Sequence, residues 1–387
     1  MSLRGAILAL SFTPACLLAV TASASTTDML IGLDQKVTYG ANGPVNGPPG
    51  KDAVLVVDIA NPAKPRIRAS LPLSNSLLGP PTNLQITPDG KLGLVASSVV
   101  MNQEGDAWKT APDDKLFVID LAANPPKLAD TVTVGKQPSG LAISHKGDLA
   151  LIANRAGKSV SVVSIEGNSV KAVGEVPMEQ QASAVVITPD GKRAFVCLNQ
   201  VNKIGVLSID GQHETYDKTL DIPSAFNPYN IDVTPDGKYV IASNTGAMGL
   251  NADAEVVIEA TGPHPHVVAI TAPGNGPEGF TISPDGKWAA TPLLLGTGAK
   301  PNEYYYTKNG EAVLMSMGAG GHLNVVSRAK LGALPEGIVF SPHSDYLYVG
   351  NFIDSDLQIF RLEKGKLHEA GRMKLPGQPA SMRGVAR

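Results

Sequence analysis

One six-residue phrase, repeated along the chain, constrains the fold more than any other feature. ITPDGK occupies residues 86–91 and again 187–192, VTPDGK residues 233–238 and ISPDGK residues 282–287, with looser copies at 143–148 (ISHKGD) and 340–345 (FSPHSD). A short β-rich run lies on either side of each copy. Pro fixes φ and Asp-Gly supplies a tight reversal, so the phrase predicts the turn of a β-hairpin. One hairpin recurring at a period of about 40 to 60 residues is the pattern of a circular array of small sheets, a β-propeller.

Aligning the runs before the turns gives inner strands starting at Pro81, Pro138, Ala182, Pro228, Pro277 and Pro335, and a last one at Pro379 that lacks its hairpin partner. Three β-rich runs near the N-terminus, residues 29–33, 53–59 and 66–71, supply the strands that this last blade needs. The expectation is an all-β, seven-bladed propeller of four-stranded blades. The C-terminal inner strand pairs with the N-terminal strands and closes the ring without an open edge. Leu84, Leu141, Val185, Ile231, Phe280, Ile338 and Met382 share one position of the inner strands and should pack blade against blade. With 40 Gly and 30 Pro in 387 residues, little of the chain is left for helix.

Residues 1–24 have the pattern of a secretory signal: Arg4 at the positive end, an apolar stretch over 6–20, and the small residues Ala22-Ser23-Ala24 at a cleavage site. A membrane anchor needs a longer apolar run than this one, which Thr13 and Pro14 interrupt, and Cys16 sits in a poor context for lipid attachment. Residues 25–387 are then expected to form a single propeller domain, periplasmic or secreted, with no integral membrane segment after cleavage. Cys197 remains as the one cysteine, a small buried hydrophobe, so no intramolecular disulfide forms. The absence of Cys-x-x-Cys-His excludes covalently attached haem. A formal net charge of −3 without a basic stripe gives a nucleic-acid partner no electrostatic support. No phosphate loop, dinucleotide fingerprint or Gly-x-Ser-x-Gly is present, so no nucleotide cofactor is expected.

Propeller geometry assigns residues to faces. The Pro-Asp-Gly turns join inner strand A to strand B and define the bottom, where all seven histidines also map, the His264/His266 pair among them. The top face carries the B–C loops, short in blades 2, 3 and 6 and long at residues 38–51, 99–114, 245–253 and 292–311. These long loops are expected to form two opposing walls with a groove over the channel mouth, the default place for a ligand. Glu278 and Glu336 fall at equivalent positions of adjacent blades, both in Pro-Glu-Gly, and Tyr229 takes that position one blade earlier. Two neighbouring carboxylates raise one another's pKa, which suits a general acid and base pair or a hard cation such as calcium. The competing reading is strand-start turn chemistry with both glutamates in water. Arg383, within the last inner strand, and Arg155, at the end of a B strand, are candidates to bind an anionic group, and Asp232 is an equally good salt-bridge partner for Arg383. Tyr304, Tyr305 and Tyr306, in a Gly-containing insertion, are candidates for a lid that stacks on a flat or cyclic substrate, with Trp108 facing them.

The repeated [IVF]-[ST]-P-D-G-K turns, together with strand ends such as LIAN at 151–154 and YVGN at 348–351, resemble those of the YVTN-repeat, lactonase-like seven-bladed propellers. That group includes propeller-type 6-phosphogluconolactonases and exported YncE-like proteins. The resemblance covers nearly all of the chain after residue 24. It allows a lactonase, another enzyme or a binding protein. With the walled face, the expectation is an exported small-molecule enzyme that hydrolyses or ring-opens a cyclic or aromatic compound. For it the residue positions, not the resemblance, offer Glu278 and Glu336 as catalytic and Arg383, Arg155, Tyr229, Trp108 and Tyr304 to Tyr306 as substrate-binding. The alternative it leaves is a non-catalytic periplasmic propeller that binds a ligand or another protein across the same face.

Overall fold

The computed structural model describes residues 27–387 apart from Ala41, Gln212 and Met248, so the expected signal segment lies outside the described residues. The strands form seven blades of four antiparallel strands each, the third carrying an additional short strand, Ile222–Pro223. From blade 1 to blade 7 the inner strands are Leu84–Ile86, Pro138–Ile143, Ala182–Ile187, Pro228–Val233, Thr281–Ile282, Pro335–Phe340 and Pro379–Arg383. The last blade runs Pro379–Arg383, Asp28–Leu33, Ala53–Asp58, Arg66–Leu71, with Leu30 opposite Arg383 and Ile31 opposite Met382. The ring therefore closes by one C-terminal and three N-terminal strands, as the repeat count requires.

Each repeated phrase folds through the same local hydrogen bonds. In the first, the Thr87 hydroxyl donates to Asp89 (2.7 Å) and accepts from the Leu92 amide (3.1 Å), while the Gly90 amide donates to the Thr87 carbonyl (2.8 Å). Gly90 takes φ of 71°, in the left-handed region that glycine adopts without strain. Thr188 with Asp190, Thr234 with Asp236 and Ser283 with Asp285 repeat the hydroxyl-to-carboxylate bond at 2.6–2.7 Å. In the looser copies Ser144 and Ser341 reach Asp148 and Asp345 instead.

The apolar ring read from the sequence is buried throughout, from Leu84 at 0% to Ile338 at 4% exposure, and Cys197 is buried and free. One position earlier five of the seven inner strands carry Gly, Ala or Ser and the other two Asn83 and Asn230, because neighbouring strands converge on the channel. A Cβ added at Gly337 would lie 2.6 Å from Met382 Cβ, one at Gly279 2.3 Å from the Glu336 carbonyl, and one at Gly140 2.7 Å from Ala184 Cα. The ladders also slip at this point: register shifts fall between Pro138 and Leu141, Ala182 and Val185, Pro228 and Asn230, and Pro335 and Ile338. In blades 1 and 5 the same irregularity leaves residues 81–83 and 277–280 outside the strand, so those inner strands are shorter than the alignment predicts. A bulge re-aims the side chain it carries. Here it carries the residue between the proline and the small residue, which is Tyr229 in blade 4 and Glu336 in blade 6.

Two of the long connections are not loops. Residues 99–114 belong to a protruding two-stranded ribbon that continues Leu92–Glu104 and Ala107–Asp120 of blade 1. Residues 38–51 contain a separate hairpin, Val37–Gly40 paired with Gly43–Asn46. Both have a turn signal in the sequence, Gly105-Asp106 and Asn42-Gly43, flanked by residues that can extend.

The close approach at Gly337 sets a test of the ring geometry. Gly337→Ala is expected to lower stability by about 1–3 kcal/mol through overpacking, measured as a drop in the urea midpoint with an unchanged denaturant slope.

Candidate functional site

Seven residues, one per blade, ring the top of the channel at the bulge position: Thr82, Ser139, Ser183, Tyr229, Glu278, Glu336 and Ala380. Four are small, so the mouth is open on one arc and crowded by Tyr229, Glu278 and Glu336 on the other. Arg155, at the end of the blade 2 B strand, crosses the open arc and places its guanidinium 5.6 Å from the centre of the Tyr229 ring. A cation over an aromatic face at this distance is attracted by the ring quadrupole. The Arg155 charge also acts on Glu278, and the Glu278 charge on Glu336. The fold thus brings together four residues from four blades.

Glu336 is almost fully buried, at 1% exposure, and its Oε2 has no hydrogen-bond partner. Burial first, and then the charge of Glu278, holds its pKa well above the usual carboxylate range. Glu278 is partly exposed. Burial pushes it up to about 7, against the opposing pull of Arg155. A pair whose members are shifted to different extents divides into a carboxylic acid and a carboxylate near neutral pH. Arg155 Nε, like Glu336 Oε2, is buried without a partner. Orphaned polar atoms of this kind are rare in native structures and cost about 1–3 kcal/mol each.

A fifth residue, absent from the sequence prediction, joins the site from blade 7. Tyr39, on the Val37–Gly40 strand, feels the charges of both glutamates, and burial above all raises its phenol pKa. Its ring packs edge-on against Phe352, with centroids 6.0 Å apart. Val37, Leu77, Leu294, Leu334 and Phe352 form an apolar cluster beside it, drawn from blades 5 to 7 and the crossings between blades. The blade 7 hairpin and the blade 5 insertion meet here: a Cβ at Gly298 would lie 3.5 Å from Tyr39, and one at Gly43 3.6 Å from the Lys300 side chain. The two walls therefore do not stand on opposing arcs with a groove between them. They meet over blade 6, where the apolar cluster at their bases is buried.

Other predicted residues lie elsewhere. Tyr304 is 80% exposed and its hydroxyl reaches the Gly249 carbonyl (3.4 Å), while Tyr305 is packed edge-on against it at 5.1 Å. Tyr306 is half-buried within the same insertion. Trp108 sits near the tip of the blade 1 ribbon, where its carbonyl accepts from Asn46 of the blade 7 hairpin (3.3 Å). Arg383 projects into the channel and donates to the Leu141 carbonyl (2.6 Å), three positions below the bulge ring. Among the described residues no group of three or more His, Cys, Asp or Glu side chains is arranged to hold a metal ion.

A third carboxyl underlies the pair. Glu255 is buried, pushed up to about 8 by burial against hydrogen bonds from Ser243 and Thr291, and its Oε2 is unpartnered. The Ser243 hydroxyl lies between Glu255 Oε1 (3.0 Å) and the carbonyl of Pro277 (3.3 Å), the residue before Glu278. Glu255 thus braces the segment that presents Glu278.

These features define the class: a seven-bladed β-propeller whose top face holds a carboxyl pair, one member buried and the other partly exposed. The likeness to lactonase-like propellers is seen in a family profile over part of the chain and in solved structures. Residues 168–252 match the sequence profile of the family described as Lactonase, 7-bladed beta-propeller. Among solved structures, a putative 6-phosphogluconolactonase from Bacteroides fragilis superposes at a TM-score of 0.66 and 18% identity, covering 94% of this chain and 98% of its own. A periplasmic gluconolactonase of Pseudomonas aeruginosa gives 0.67 and 16%, covering 92% and 98%. Hydrazine synthase of Kuenenia stuttgartiensis gives 0.60 and 20%, covering 80% and 90%. No curated protein matches by sequence. At these identities the structural likeness establishes the fold, which hosts unrelated chemistries.

Two titrations follow from the site. Arg155→Gln removes the charge that favours ionised Glu278, so the Glu278 carboxyl should titrate above 7, a shift read by carbon-13 NMR of labelled glutamate. Glu255 has a folded pKa above its unfolded value, so its contribution to stability is complete below about pH 4.5 and is lost as the pH rises towards 8. Glu255→Gln should flatten the fall in melting temperature over that range and be the more stable protein at pH 8.5, by on the order of 2 kcal/mol.

Proposed function

We propose that this chain is a lactonase-type hydrolase acting at the Glu278/Glu336 pair. The observation that carries the reading is a carboxyl pair on the channel mouth with one member near neutral pKa and the other, orphaned and buried, held protonated. Ionised Glu278 takes a proton from the attacking water. The water oxygen adds to the carbonyl carbon of a cyclic ester. Protonated Glu336 hydrogen-bonds the carbonyl oxygen and gives its proton to the ring oxygen as the ester C–O bond breaks, leaving a hydroxy acid. Arg155 binds the anionic charge that develops, and Tyr229 and Tyr39, whose phenols stay neutral, present hydroxyls across the mouth. The family matched over residues 168–252 and the gluconolactonase neighbours support a lactone as the substrate. A cyclic or aromatic ring suits the aromatic residues about the mouth. We place its action outside the cytoplasm on the sequence of residues 1–24 alone.

A non-catalytic binding role draws support from apolar residues exposed on the top of blades 3 to 5, where Phe226 is 58% and Leu250 53% exposed. A hydrolysis assay against sugar and aromatic lactones separates the two. The enzyme reading expects turnover that falls at least about 100-fold in Glu278→Gln and in Glu336→Gln. Its rate should decline below about pH 7 as Glu278 becomes protonated, and again at the higher pH where Glu336 ionises. Unaltered turnover in both variants would refute the roles, and silence across the panel would favour the binding reading.

A further inference from the structure

The other end of the channel is a second, chemically different compartment. It is a cavity of about 100 Å³ lined by Gln85, Asp232, Thr281, Arg383 and Arg387, and of the seven residues that ring the top only Thr82 reaches it. Thr82 and Asn230 hydrogen-bond across the channel (3.2 Å) at its upper end. The chain beyond the last inner strand forms its floor: the Ile86 amide donates to the Gly384 carbonyl (3.1 Å), the Ala386 amide to the Ile86 carbonyl (2.8 Å), and Val385 bridges Ile86 in parallel. This excursion carries Arg387 beneath the cavity that Arg383 enters from the wall.

The charges in this compartment are unequally provided for. Asp232 is satisfied by backbone, its two oxygens accepting from the amides of Val233 and Ile282, both at 2.9 Å. Gln85 is likewise engaged, accepting from the Ile143 amide (2.9 Å). Arg383 spends one N–H on the Leu141 carbonyl, and no ion pair within 4.0 Å joins either arginine to a carboxylate among the described residues. A guanidinium has five N–H donors in a fixed fork that matches tetrahedral or planar oxyanions. Two such forks converge on a space that has room for several waters or one tetrahedral oxyanion. Arg383 is partly withdrawn from water and Arg387 stays exposed, and Asp232 is the one carboxylate side chain that lines the space with them.

We propose that this cavity is a binding site for a small oxyanion of phosphate or sulfate size, held by Arg383 and Arg387 and entered from the bottom face. The site is independent of the Glu278/Glu336 reading. An anion here joins the last inner strand, the segment after it and blade 1, and so reinforces the closure of the ring.

Titration of the purified protein with inorganic phosphate at constant ionic strength, followed by calorimetry and by melting temperature, tests the site. Saturable binding is expected, with a melting temperature that rises with phosphate, and a dissociation constant at least tenfold higher in Arg383→Gln and in Arg387→Gln. The Glu278→Gln, Glu336→Gln double variant should bind phosphate as wild type does. Should Arg383→Gln fail to fold, Arg387→Gln, whose side chain makes no hydrogen bond among the described residues, carries the test alone. Absence of saturable binding, unchanged affinity in Arg387→Gln, or loss of binding in Arg155→Gln instead would overturn the proposal.

Discussion

Ring closure by the pairing of Pro379–Arg383 with Asp28–Leu33 is the interaction on which the rest depends. A propeller blade cannot bury both faces alone, and each apolar layer here is shared between neighbours, as where Met29, Ile31 and Leu55 pack with Val339, Tyr348 and Leu357. Without the composite blade two such layers would open, those on either side of it. The same pairing fixes both ends of the channel. It launches the chain from Leu33 into the hairpin that carries Tyr39, and it delivers Arg383 and the segment beyond it to the lower mouth. A buried cation anchors the hairpin's base: Lys36, at 2% exposure, pairs with Asp34 and Asp52 and donates to the Asn75 carbonyl. Breaking one member of such a cluster leaves an uncompensated charge, so the anchor is costly to disturb.

The convergence of inner strands supplies the second constraint. Gly279 and Gly337 are small because the next strand lies where their side chains would be. That explains the glycine in Pro-Glu-Gly, and the proline starts the strand, but neither accounts for the glutamate. Thr82, Ser139, Ser183 and Ala380 hold the equivalent place in other blades. An alanine or serine would fold there, and a carboxyl with an orphaned oxygen is the more expensive choice. Turn chemistry is therefore an insufficient reading of the motif, since Glu336 is not in water.

How much of this was legible follows from the distance over which each feature is encoded. The Pro-Asp-Gly turns are made by bonds spanning five residues, such as Thr87 to Leu92, so the sequence phrase and the structure are nearly the same information. The blade count and the closure follow from repetition of that local unit. The adjacency of Glu278 and Glu336 was legible for the same reason, because equivalent positions of neighbouring blades meet. The reach of Arg155 across to Tyr229 depends on two small residues in between, Ser139 and Ser183, which only an alignment of all the inner strands brings into view. Tyr39 was not legible at all. Its place depends on Phe352 and Gly298, hundreds of residues away, and on a hairpin that sequence reading takes for a loop. The separation of Arg383 from the glutamates is a matter of depth along one strand: three residues beyond Ala380, at about 3.3 Å each, carry it roughly 10 Å below their level.

That depth gives the channel two unlike ends. The upper mouth gathers carboxyls and burial raises their pKa values, so near neutral pH it holds fewer negative charges than its composition suggests. At the lower end are two guanidiniums that stay protonated, Arg383 partly buried and Arg387 exposed, facing one aspartate side chain. Between them the channel is crossed by the Thr82–Asn230 hydrogen bond and lined by inner strands that approach too closely for large side chains. The Thr82–Asn230 bond spans the direct line between the two ends. Chemistry at the top and binding at the bottom are joined by the inner strands themselves, and the strand that touches both compartments most directly is the one that closes the ring.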